Sequence, residues 1–212
     1  MRRSLTVDAD GVVASLANGP VDDDADDTTT RILDAAAELY ATIGPRRCSV
    51  EDIAERSGLG RTTIYRRFDG RQQILEAVIG REVRRFFASI LAPTAGLHRF
   101  NDVVVESFVH GLASSETSLL AAMVRSEPEL LALLTIDGGA IIDAAREFLL
   151  DLTAQAGVGS DADTTATLVE VLVRLAISLV LTPSATFPLD DPDTARAALH
   201  RVLDPILAAL AP

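Results

Sequence analysis

Between Ser49 and Phe68 the chain reads SVEDIAERSGLGRTTIYRRF, and no other stretch constrains the fold as tightly. Ser49 followed three residues later by Asp52 has the form of a capping box, with the shorter Asp where Glu is usual. Val50, Ile53 and Ala54 supply one apolar face of a short helix running to about Ser57. Gly58, Leu59 and Gly60 then form a tight turn in which glycine takes a positive backbone angle cheaply and Leu59 plugs inward. A second short helix spans Arg61 to Phe68. Ile64 and Phe68 lie four apart and face the core, which turns Thr62, Thr63, Tyr65 and Arg66 outward.

The rest of the chain also reads as helix. Upstream, Ile32, Ala35, Ala36, Leu39, Tyr40 and Ile43 mark a helix over Thr28 to Ile43, opened by threonines able to cap and closed by Gly44 and Pro45. Downstream, Asp69 and Gly70 interrupt, and a longer helix from Arg71 carries Ile74, Leu75, Val78, Val83, Phe86, Phe87 and Ile90 until Pro93. Helices are expected near 98–113, 117–126, 129–135, 139–156, 163–182 and 193–210, with Pro205 kinking or interrupting the last. No β alternation competes with them. Residues 1–27 are rich in Asp, Gly, Ser and Ala without a period, and read as a disordered acidic tail.

Composition narrows the functional classes. A chain of 212 residues, 48% hydrophobic, can bury one large core or two small ones. It lacks any run of about 18 apolar residues and a convincing signal peptide, so a soluble protein of the cytoplasm, without a membrane partner, is expected. Cys48 is the single cysteine and serves packing. His98 and His110 lack a third ligand at suitable spacing, so neither metal nor cofactor is expected. No Gly-x-Ser-x-Gly elbow, phosphate-cradling glycine loop or carboxylate pair tied to a histidine is present, which sets an enzyme aside.

A net charge of −12 opposes a nucleic-acid partner until its distribution is considered. Acids crowd the tail at Asp22, Asp23, Asp24, Asp26 and Asp27 and the C-terminal half. Arg46, Arg47, Arg56, Arg61, Arg66, Arg67 and Arg71 make a locally basic window. Two short helices joined by a glycine turn, the second presenting hydroxyls, a tyrosine and arginines, are a helix-turn-helix. Small Thr62 and Thr63 keep the second helix narrow enough for the major groove. Arg61, at its N-terminal end, can pair with guanine O6 and N7. Tyr65, Arg67 and Arg71 suit phosphates, as do the amides at Ser49.

Over about residues 28–85 the sequence resembles the TetR family of regulators. LDAAAELYATIG, SVEDIAERSGLGRTTIYRRF and QILEAV carry the resemblance, with Ile53, Ala54, Gly58, Thr63, Ile64, Tyr65 and Phe68 its most specific set. Departures are Gly60 where the family often has Ser or Thr, Thr62 where it has Gly or Ala, Arg67 for a frequent His or Tyr, and Arg71 for its phosphate-binding Lys. The resemblance implies an all-α fold. An N-terminal three-helix helix-turn-helix DNA-binding domain, 28–75, would precede a C-terminal helical ligand-binding and dimerisation domain, 76–212. It implies a homodimer on double-stranded operator DNA, made by the last two helices of each subunit. Leu168, Leu172, Leu175, Leu179, Leu199, Val202, Leu203 and Ile206 fit that interface by helical spacing.

It further implies a repressor released from its operator by a small apolar or amphipathic effector. Phe100, Phe108, Met123 and Phe148 are candidates for lining an apolar cavity or, alternatively, plain core. A transcriptional activator, or a helical adaptor without ligand response, is the alternative.

Overall fold

The computed structural model describes residues 26–97, 99–115, 118–127, 162–182 and 191–208, with short pieces at 11, 130–131, 135, 139, 142–143, 145–147 and 149–150. Among the described residues the regular elements are helices. Helix α1 spans Asp27–Ile43. Its start is set by Asp26, extended at φ −61° and ψ 151°, whose carboxylate accepts the Thr29 amide at 2.8 Å. The expected threonine cap is thus corrected, because a carboxylate just outside the helix already serves that amide and the threonines lie in the first turn.

Helix α2, Val50–Ser57, carries both halves of the capping box. The Asp52 amide donates to Ser49 Oγ at 3.1 Å and the Ser49 amide to Asp52 Oδ2 at 2.8 Å. Gly58 closes α2 in the left-handed region at φ 66°, and a Cβ there would also stand 3.4 Å from Arg31 Nη2. The positive φ favours glycine, whereas the Arg31 distance is an ordinary van der Waals contact. Helix α3, Arg61–Arg67, starts at Gly60 with no side-chain cap and ends at Phe68. Helix α4 follows over Arg71–Leu91.

Two compact units divide the chain, one from Met1–Arg84 and Ser118–Ile141, the other from Arg85–Thr117 and Ile142–Pro212. The first unit is organised around Ile32, Ala36, Tyr40, Ile53, Ile64, Phe68, Ile74, Leu75, Val78, Met123 and Leu130. Ile64 and Phe68 enter this core from α3, so their four-residue spacing fixes which face of α3 is left outside. Helix α6, Leu119–Ser126, starts at Ser118, whose hydroxyl accepts the Ala121 amide at 3.1 Å. It packs on α1 and delivers Met123 into the core. Each such aliphatic side chain taken from water contributes on the order of 1.5–3 kcal/mol.

The second unit holds α5 (Phe100–Ser115), α7 (Ala162–Leu181) and α8 (Pro192–Ala208). Val105, Phe108, Leu112, Leu168, Leu172, Leu199 and Leu203 form its main core. Arg196 grips Glu106 with two nitrogens and Asn101 Nδ2 donates to Asp204 Oδ1 at 2.9 Å, tying α8 to α5. Contrary to expectation, α8 continues through Pro205 to Ala208. The ring removes the bond to the Arg201 carbonyl, but buried Leu203 and Leu207 anchor the helix on both sides of it. Gly111 permits close packing, since a Cβ there would meet Ile90 Cδ1 at 3.1 Å. The helices expected near 129–135 and 139–156 lie mostly outside the described residues.

Candidate nucleic-acid interface

With Ile64 and Phe68 buried, α3 presents Arg61, Thr62, Tyr65, Arg66 and Arg67 to solvent, and Thr63 is half-buried. Tyr65 is 52% exposed, unusual for an aromatic side chain that has an apolar core within reach. It stands on the same outward surface as two threonines and three arginines. The narrow polar profile a major groove requires is therefore present, with guanidinium groups at both ends.

The arginines do not stand alone. Arg61 Nη1 donates to Glu51 Oε1 across the turn, Arg67 pairs with Asp26, and Arg56 pairs with Glu38 on α1. Through its hydrogen bond to Arg61, Glu51 is held below the usual carboxylate range. Asp26 is also lowered, first by the Thr29 amide and then by Arg67. Ser49's amide and hydroxyl are both committed to Asp52, so Ser49 serves the helix start itself. Ser49's hydroxyl and amide keep the Asp52 carboxyl low.

Arg71 has a task that sequence reading missed. Its Nη1 donates to the carbonyls of Arg46 at 2.9 Å and Cys48 at 3.5 Å, bracing the loop between α1 and α2. The same loop is held from another side by Glu127, which accepts the Arg46 amide at 3.2 Å and pairs with Arg46 Nε at 2.8 Å. Glu127 follows α6 and is buried. Nothing in the local sequence marks this contact, because its partners are 81 residues apart. Cys48 is buried in the loop, and desolvation pushes its thiol up to about 11, which suits packing and not nucleophilic chemistry. Tyr40, buried beside it, is raised by the same cause.

Other candidates fare differently. Phe108 is buried in the main core of the second unit and Met123 in the core of the first. Phe148 and the Phe100 side chain lie outside the described residues. A hollow of about 300 Å³ in the first unit is polar, lined by Arg31, Asp34, Ala35, Glu38, Arg56 and Ser57. Leu168, Leu172, Leu179, Leu199 and Leu203 are buried in their own subunit's core. Leu175 is partly buried against that core. Val202 and Ile206 are each 44% exposed, joined on α7 by Val171 at 51%, which the sequence reading did not select. Among the described residues no helix is long and apolar enough to cross a membrane, and no cluster of side chains suits a metal.

The family model described as bacterial regulatory proteins, tetR family, matches residues 32–78, and the model for the bacterial tetracyclin repressor C-terminal domain matches residues 101–205. The HTH-type transcriptional regulator Rv1255c of Mycobacterium tuberculosis is 33% identical over 181 residues, covering 84% of each chain. AlkX, an HTH-type transcriptional regulator of the same bacterium, is 29% identical over 180 residues, covering 82% of each. Among solved structures, the TetR family repressor AlkX from Dietzia sp., implicated in biodegradation of n-alkanes, superposes with a TM-score of 0.65 at 23% identity, covering 86% of this chain and 97% of that one.

Proposed function

The chain belongs to the tetR family of bacterial regulatory proteins and is a transcriptional regulator, not an enzyme; from that premise we propose that it is a repressor that binds a two-fold operator as a homodimer and leaves it when a small apolar or amphipathic effector binds. The observation that carries this reading is α3, anchored by Ile64 and Phe68 with its arginine, threonine and tyrosine side chains turned to solvent. In the proposed complex Arg61 reads guanine while Thr62 and Thr63 pass close to base edges. Tyr65, Arg66 and Arg67 hold phosphates. Arg71 acts chiefly by fixing the loop at 46–48, with its remaining N–H groups available to phosphate.

Two recognition helices must stand one DNA turn apart, which calls for a symmetric pair of subunits. Val171, Val202 and Ile206, exposed on α7 and α8, support that pairing. An effector that favours a form with badly spaced recognition helices would shift the population away from DNA, with α4 as the lever.

Fluorescence anisotropy with promoter fragments from the protein's own genomic neighbourhood tests the reading. Saturable binding that survives excess random DNA and weakens steeply with salt is expected. Indifference to sequence at every salt concentration would overturn it. For the effector, compounds are added to the preformed complex, and release by an apolar compound is the expected result.

A further inference from the structure

The contact between Arg61 and Glu51 uses one nitrogen of the guanidinium, Nη1. Both side chains are more than half exposed, and they sit in the first turns of the two short helices, α3 and α2. A guanidinium held in this way still offers a second pair of N–H donors, and a pair is what guanine O6 and N7 require. Phosphate asks for the same donors but brings a negative charge close to the Glu51 carboxylate. A base edge brings none. The two acceptors between which Arg61 must discriminate therefore differ in the one property to which Glu51 responds.

We infer that Glu51 is a specificity-determining positioning residue: it orients Arg61 toward a neutral base edge and, by its charge, keeps phosphate off that guanidinium. This goes beyond the DNA-binding reading and rests on it. Random DNA is bound through its phosphates, so a protein whose leading arginine is closed to phosphate loses affinity for random sequence first. Operator DNA, met through guanine, leaves the Arg61 to Glu51 contact in place. The chain's acidity thus contributes to selectivity at the interface itself.

The test is a set of anisotropy titrations on operator and random duplexes with wild type, Glu51→Gln, Arg61→Ala and the double variant, across a salt series. Glu51→Gln should raise affinity for random DNA about two- to five-fold, the scale set by one exposed ion pair. Operator affinity should stay within about two-fold or fall. The gain on random DNA should vanish when Arg61 is alanine, because Glu51 acts through it. Glu55→Gln, on an exposed residue of the same helix, controls for general charge and should leave the ratio unchanged.

Equal gains on both duplexes, no gain, or a gain that persists without Arg61 would overturn the inference. Wild type that prefers no sequence at all would instead bring down the DNA-binding reading beneath it.

Discussion

Glu127 accepts the backbone amide of Arg46 and pairs with its Nε, so one carboxylate clasps both the main chain and the side chain of a residue 81 positions away. Its burial makes the contact costly to cut, since Arg46 loses an acceptor in a place with little water to replace it. Glu127→Ala should lower the unfolding free energy by about 2–3 kcal/mol. Urea titration followed by circular dichroism checks this, and a wild-type midpoint would show that the clasp contributes nothing. Glu127→Gln, which keeps an acceptor without the charge, should fall between.

Asp26 combines two roles that one substitution separates. It caps α1 through the Thr29 amide and pairs with Arg67 at the end of α3. Asparagine caps as well as aspartate but carries no charge. Asp26→Asn should therefore leave the melting temperature unchanged while raising affinity for all duplexes alike, by roughly two-fold, because in the proposed complex Arg67 meets phosphate irrespective of sequence. A lowered melting temperature with unchanged affinity would reverse that division.

Dimerisation should respond to exposed positions and not to buried ones. Val202→Glu combined with Ile206→Glu places charge on the open face of α8 and should shift the protein to a folded single subunit in sedimentation velocity. Leu203→Ala, next to Val202 but 1% exposed, should instead cost about 2–5 kcal/mol of folding stability through the cavity it leaves. A persistent dimer in the double glutamate variant would move the interface elsewhere.

Acid should loosen the start of α2. Ser49 depresses the Asp52 carboxyl below its ordinary value of 3.8. A depressed folded value means that the stabilisation is fully present above the unfolded pKa and is lost as pH falls through the folded one. Urea midpoints measured from about pH 6 down to about pH 2.5 should then drop more steeply for wild type than for Asp52→Asn. Parallel curves would mean that the capping carboxylate has no linkage to folding.

Much of this was legible in sequence because it is local. Ser49 and Asp52 met as a capping box, Gly58 took the left-handed angle, and Ile64 with Phe68 fixed the outward face of α3, all within helical reach. The leucines of α7 and α8 were legible as an apolar face and no further. Helical spacing reveals that a face is apolar but not whether the neighbour covering it is the same chain or another copy. Leu199 and Leu203 found α5 in their own subunit. Arg71 and Glu127 were opaque because their partners at Arg46 and Cys48 are distant in sequence. The acid partners of Arg61 and Arg67 were visible as residues but not as pairs.

The place of Met123 and Leu130 in the first core has a consequence for how the molecule can be cut and recombined. A fragment ending after α4 would lack both, with the α1 surface that α6 covers left bare. Such a truncation should be prone to clumping and bind DNA poorly even with every exposed residue of α3 intact. Swapping operator preference between relatives by gene fusion would therefore require two crossovers, carrying residues 118–141 along with the amino-terminal stretch. In this chain the reader of DNA is not a portable cassette.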